Sequence, residues 1–236
     1  MGHLKKHFKI GHMRRFFLAL KTAAFCFAVL TPFQVNAQEM VKLGYGRLVT
    51  NDFIGDFQDR GQTGSGVSRR VYGQSWGSVV PTRAGEILAF RLQAAVKAPD
   101  NLVVPAAGDR PFAGSLTFGL HTYFQQAGYE MAMGGEFVLV GPQTKLAAFQ
   151  TELHNGLGVA PPSSLTRSGQ IGDSIHPGVI VEVGKPFGIG ARSQLRPFVE
   201  ARAGTETLAR IGMDFEIGKL TQSDLMIRDG ITGQRY

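Results

Sequence analysis

Gln150 and His154, four residues apart, are the pair in this sequence best placed to do chemistry. They fall in the segment 141–158, GPQTKLAAFQTELHNGLG, where Leu146, Phe149 and Leu153 recur at i, i+3 and i+7 as on a helix. Gly141-Pro142 opens the segment and Gly156 with Gly158 closes it, so the spacing predicts one short helix. On it Gln150 and His154 share a face about one turn apart. Histidine is the side chain most often used as a general base, and a neighbouring glutamine can orient its ring or donate a hydrogen bond to a developing oxyanion. A surface helical histidine without chemical role leaves the same trace in sequence. His121, on the polar side of a predicted strand, and His176, just before Pro177, have no comparable setting and read as packing or lumen groups.

Two other stretches gather polar side chains. NDFIGDFQDRGQTGSG, residues 51–66, offers Asn51, Asp52, Asp56, Asp59, Arg60, Thr63 and Ser65. Acids, an amide and hydroxyls make an oxygen-only donor set, which suits Ca2+ or Mg2+ over zinc. The spacing is not that of an EF-hand loop, and a solvated turn is an equal alternative. GDRPFAG, residues 108–114, puts Asp109 and Arg110 just before a strand, where an ion pair closing a turn is the simpler reading.

The elements that must position these groups are strands. From Glu39 onward, segments of about ten residues alternate apolar and polar between Gly, Pro, Asn and Asp. In AGSLTFGLHTYFQ, Leu116, Phe118, Leu120 and Phe124 oppose Ser115, Thr117, His121, Tyr123 and Gln125; in LARIGMDFEIG, Ile211, Met213, Phe215 and Ile217 oppose Arg210, Asp214 and Glu216. The pattern predicts strands at 39–50, 67–78, 85–97, 112–126, 129–140, 177–186, 194–204, 207–218 and 223–234. Such alternation fits a soluble sandwich with an apolar core. It fits equally an outer-membrane barrel, where the apolar face meets lipid and the charges face the lumen. Strand lengths near the 9–11 residues that cross a bilayer at a tilt, absent cysteine and an export signal favour the barrel.

The first 37 residues read as that signal. Lys5, Lys6, Lys9, Arg14, Arg15 and Lys21 form a basic start, an apolar core follows, and Val35-Asn36-Ala37 suits cleavage near Ala37. This segment holds six of the 25 lysines and arginines and none of the 18 acids, so 19 basic residues face 18 acidic ones in the remainder. A near-neutral chain gives no argument for a nucleic-acid partner. Cys26 also leaves, which excludes a disulfide scaffold and thiol chemistry. No apolar run of about 20 residues follows residue 37, which excludes a helical membrane protein.

Four pieces in order resemble the outer-membrane lipid A 3'-O-deacylase family, the LpxR-type deacylases. They are Asn51-Asp52 ending the first strand; Asp59-Arg60 with Thr63-Gly64-Ser65; Asp109-Arg110-Pro111-Phe112-Ala113-Gly114; and Gly141-Pro142 followed by Gln150 and His154. The resemblance spans about residues 45–190. It implies a twelve-stranded antiparallel barrel in the outer membrane; with nine strands counted, the fold expected is an antiparallel transmembrane β-barrel of about nine to twelve strands. The active site would lie between the barrel wall and a helix at outer-leaflet level, with Ca2+ as cofactor. By position, His154 is the implied base and Gln150 its helical neighbour. Asn51 and Asp52 are the metal-side groups, and Thr63 is a further hydroxyl. Lys97 is the nearest match to the family's lysine, at a shorter spacing. The implied reaction is hydrolysis of an ester-linked acyl chain of lipid A, the lipid part of lipopolysaccharide, by water. The one G-x-S-x-G match, Gly73-Gln74-Ser75-Trp76-Gly77, falls within the predicted strand 67–78 rather than at a strand-to-helix turn, so it does not read as an elbow supplying a serine nucleophile.

Nine predicted strands is an odd count for a closed bacterial barrel, and the ending ITGQRY reads as a barrel left incomplete at its C-terminal side. Two other functions fit the pattern: a non-enzymatic envelope barrel, and a soluble periplasmic lipid-binding barrel with Leu116, Phe118, Phe215 and Ile217 turned inward.

Overall fold

The computed structural model describes residues 39–51, 63–218 and 224–236. The predicted signal segment, and Asp52, Asp56, Asp59 and Arg60 of the acidic loop, lie outside the described residues.

Alternation of side chains becomes one antiparallel sheet. Its strands are β1 (Val41–Asn51), β2 (Gly64–Gly73), β3 (Ile87–Lys97), β4 (Ala113–Gln126), β5 (Tyr129–Val140), β6 (Ser174–Gly184), β7 (Phe187–Gly190), β8 (Ser193–Ala203) and β9 (Leu208–Ile217). Pairing is sequential from β1 to β6; β6 then pairs β8, which pairs β9 and the short β7. The β4–β5 hairpin turns on Ala127 and Gly128, both with positive φ, the two-residue turn whose twist matches its strands. Among the described residues no ladder joins β1 to β9, so the sheet is curled but open. Helix α1 (Leu146–Leu157) and the short α2 (Ser164–Ser168) lie in the connection from β5 to β6.

Eight of the nine predicted strands have counterparts. The ninth, expected at 223–234, is not a strand. Within 224–236 the backbone doubles back, with Ile227 and Tyr236 exchanging N–H···O bonds at 3.0 Å and a bridge between Arg228 and Arg235. The cause is local. Asp229 Oδ2 accepts the N–H groups of Ile231 (3.1 Å) and Thr232 (2.8 Å), an Asx-type turn that competes with extension. The short β7 was not legible in the sequence, its FGIG having too few residues to show a period.

The two faces of the sheet are reversed relative to a soluble protein. Ile211 is 82% exposed, Phe215 58% and Phe118 48%, while on the other face Arg69, Arg196 and Glu200 are at most 3% exposed. In water each apolar side chain left outside forgoes about 1.5–3 kcal/mol. Each charge taken inside must be paired. The inner face meets that second requirement. Arg196 donates to Glu130 (2.6 Å), Glu182 (2.7 Å) and Asp214 (3.2 Å). From the C-terminal segment, Arg228 reaches Glu182 (2.7 Å) and Asp214 (2.6 Å), and Arg235 reaches Glu216 (2.7 Å). Ion pairs therefore tie β5, β6, β8 and β9 together and to residues 224–236, which lie on the inside. This overturns the soluble lipid-binding alternative, because Phe118, Phe215 and Ile217 point outward.

Candidate active site on the outer rim

One hydrogen-bonded row organises the rim. Asn51 is registered with Gly64, Gly64 with Val96, and Val96 with Gly114, whose carbonyl accepts Gly141 N–H at 3.0 Å. Four sequence motifs far apart along the chain thus reach the same end of the sheet. From Asn51 to Gly114 is three strand spacings, about 14 Å.

Helix α1 is seated on this row. After the 3-10 turn Pro142–Thr144, the chain passes so close to Gly114 that a Cβ there would stand 2.8 Å from Thr144 Oγ1 and 2.9 Å from Leu146 Cβ. Gln143 secures the approach, its Nε2 donating to the carbonyls of Val140 and Ser174 at 2.9 Å. Directly paired residues project to one side, so the Asn51 side chain, which lies over Gly64, and α1, which lies over Gly114, share the outer face. The DRPFAG stretch is scaffold. Arg110 pairs with Asp100 at 2.8 Å rather than with Asp109, and Asp109 accepts the N–H groups of Asp100 and Arg110. Phe112 is fully buried, and its carbonyl accepts Ile171 N–H at 2.9 Å.

The predicted helix is present, but its apolar stripe does not face a core. Gln150 is the buried residue of α1, while Phe149, Leu153 and Leu157 are exposed, as are Val159 and Leu165 beyond it. The helix repeats the inverted polarity of the sheet.

Gln150 and His154 do meet. Gln150 Nε2 lies 3.4 Å from His154 Nε2, and His154 Nδ1 lies 2.8 Å from the Ala160 carbonyl. A carbonyl can only accept, so in the neutral ring Nδ1 carries the hydrogen and Nε2 presents its lone pair towards Gln150. This is the arrangement of an oriented base: one ring nitrogen anchored, the other loosely held at the long end of hydrogen bonding. Ala160 was invisible in the sequence, since any residue supplies a carbonyl; only the left-handed turn at Gly158 brings it back to the ring. Gln150 Oε1 is buried with no partner among the described residues, and so is Thr63 Oγ1.

The remaining predicted residues sit on the same rim with different orientations. Thr63 donates its backbone N–H to Val96 at 3.1 Å; alternation groups its side chain with Ser65 on the inner face. Lys97 closes β3 and pairs with Glu206 at 3.5 Å, both exposed. Asp52 lies outside the described residues. His121 is a buried lumen group against Glu136 (3.1 Å), and His176 bonds Ser174 at 2.9 Å. Among the described residues no three His, Cys, Asp or Glu side chains gather as a metal centre, and no helix is long and apolar enough to cross a membrane.

An open-sided antiparallel β-barrel fold, apolar outside, with paired charges and a small apolar cluster of Val71, Ile87, Ala89, Tyr123 and Ile227 inside, and with a histidine-bearing helix on its outer rim, is the class these observations define. Comparison with solved structures agrees on the fold. LpxR from Salmonella typhimurium superimposes with a TM-score of 0.57 at 17% identity, over 75% of this chain and 62% of that one. The chain thus spans less than two thirds of that structure. No family model and no curated protein matches it.

Proposed function

We propose that this chain is an outer-membrane ester hydrolase of the lipid A deacylase kind, acting on an ester-linked acyl chain of lipid A. The observation that carries this reading is His154, oriented by Ala160 and Gln150 on the outer face of the sheet, with Phe149, Leu153 and Leu157 exposed on the same helix. A base standing among outward apolar side chains suits an ester whose acyl chain lies in the surrounding lipid. Support comes also from the ordered motifs shared with LpxR-type deacylases and from the likeness of fold to LpxR.

In the proposed reaction His154 Nε2 accepts a proton from water as the oxygen attacks the ester carbonyl carbon, and returns it to the departing sugar oxygen. The Gln150 amide, now turned to Nε2, yields to that water and then holds it, its bond being long enough to give up. Calcium would be held by Asn51 and Asp52. Of these, the described Asn51 lies on the helix's face and offers an amide oxygen, a donor that fits a hard cation. When bound, the ion supplies positive charge for the carbonyl oxygen. Export through the signal at 1–37, with cleavage near Ala37, would deliver the barrel to the outer membrane.

Mass spectrometry of lipid A from cells with and without the full-length chain tests the reading. Loss of one ester-linked acyl chain is expected; unaltered lipid A at confirmed outer-membrane levels would favour the non-enzymatic barrel.

A further inference from the structure

The inner face holds an arginine that contacts no carboxylate among the described residues. Arg69, in the middle of β2, is 2% exposed, and the register sets it directly opposite Arg91 of β3, which is also buried. Like charges directly opposite on one face of an antiparallel pair are destabilising, and a buried guanidinium needs a partner. Arg91 has Glu136 and Gln93. Among the described residues Arg69 has the Arg228 carbonyl, 2.7 Å from Nη2, and the Tyr236 ring at 5.2 Å. Its Nε and Nη1 are buried with no partner among the described residues, as is Arg91 Nε. The other arginines beside it, Arg196, Arg202, Arg228 and Arg235, each contact a carboxylate.

Arg69, Arg91 and Arg202 line a partly open cavity of about 80 Å³ on the inner face. Four carboxylates share its wall: Asp224 is exposed, and the other three are already engaged. Glu182 is bonded to Arg196 and Arg228, Glu200 to Arg202 and Arg210, and Glu130 to Arg196 and Arg235. The unused groups are therefore N–H donors of guanidinium forks, which match the oxygens of phosphate or carboxylate. A water needs about 10–15 Å³ of such space, so the cavity has room for a small ion together with several waters.

We propose that this cavity binds a small free oxyanion of phosphate size, held by Nε and Nη1 of Arg69 with Arg91 Nε. The ion neutralises the Arg69–Arg91 pair and ties β2 and β3 to the inner segment 224–236. It lies on the face opposite to the candidate active site and does not depend on ester hydrolysis.

The test uses the full-length chain in detergent micelles, titrated with inorganic phosphate at ionic strength held constant with sodium chloride. Thermal unfolding and ³¹P line width are followed. A saturable rise in Tm, absent with chloride alone, is expected. Arg69→Met should weaken phosphate binding about tenfold or more, with Arg69→Lys in between. No response of the unmodified protein to phosphate beyond that to chloride overturns the proposal, and so does equal affinity in Arg69→Met. Should Arg69→Met not fold, the comparison of phosphate with chloride on the unmodified protein decides. A phosphate-bearing lipid, phosphatidic acid, added to the micelles should leave Tm unchanged; a response to it and none to inorganic phosphate also refutes the assignment.

Discussion

Replacing His154 with alanine separates chemistry from folding in this protein. The imidazole is half-buried, and its anchored nitrogen makes one hydrogen bond of 2.8 Å to Ala160. Losing that bond costs about 1 kcal/mol, and alanine's better helix propensity returns a few tenths, so the net change in stability stays within about 1 kcal/mol. The catalytic effect should be far larger. A positioned general base contributes about 10²–10⁴ in rate, or roughly 3–5 kcal/mol of barrier. Gln150→Ala should behave differently. Its contact with the ring is 3.4 Å long, so the loss of rate should stay within about tenfold, while truncating this buried side chain costs about 1–2 kcal/mol of stability. The double variant should be no slower than His154→Ala alone, because without the base there is nothing left to orient. Fatty-acid release from lipid A micelles, read beside thermal unfolding by circular dichroism, measures both quantities. Release by His154→Ala at the unmodified rate would refute the assignment, as would a loss of activity that tracks a loss of fold.

Three further outcomes follow from the geometry. Met213→Arg, on the outward face of β9, should lower stability in a bilayer by up to about 2–4 kcal/mol, near the upper value if the site lies at the midplane; unfolding titrations in lipid vesicles check it, and a neutral effect would argue against a lipid-facing surface. Gly114→Val should lift α1 from the rim, since even a Cβ there meets Thr144 and Leu146. It should cost about 1–3 kcal/mol and most of the activity while strand circular dichroism persists. Removing calcium with EGTA should lower lipid A hydrolysis by at least about tenfold, with recovery on adding Ca2+ but not Zn2+; a rate indifferent to EGTA would remove the cation from the proposal.

The strand rhythm was readable because an antiparallel sheet with unlike faces imposes a period of two, and β4 and β9 show it cleanly. The same period could not say which face was inside. Phe118 and His121 obey it equally in a sandwich and in a barrel. Helix α1 was legible from Leu146, Phe149, Leu153 and its glycine boundaries, yet those leucines do not mark a core. The last predicted strand failed because Asp229 captures the N–H groups of Ile231 and Thr232, a contest that periodicity does not register. Glu182 and Asp214 looked like ordinary polar positions; their ties to Arg228 bridge strands to a segment far along the chain.

By itself, then, the sequence determined the local elements and the pairing of Gln150 with His154, because both depend on neighbours within a turn or a strand. Tertiary structure decided which face is buried, which carbonyl anchors the His154 ring, and that Arg69 stands opposite Arg91 without touching a carboxylate among the described residues. Each of those depends on strands brought together across the sheet, where registry rather than spacing along the chain sets what a side chain meets.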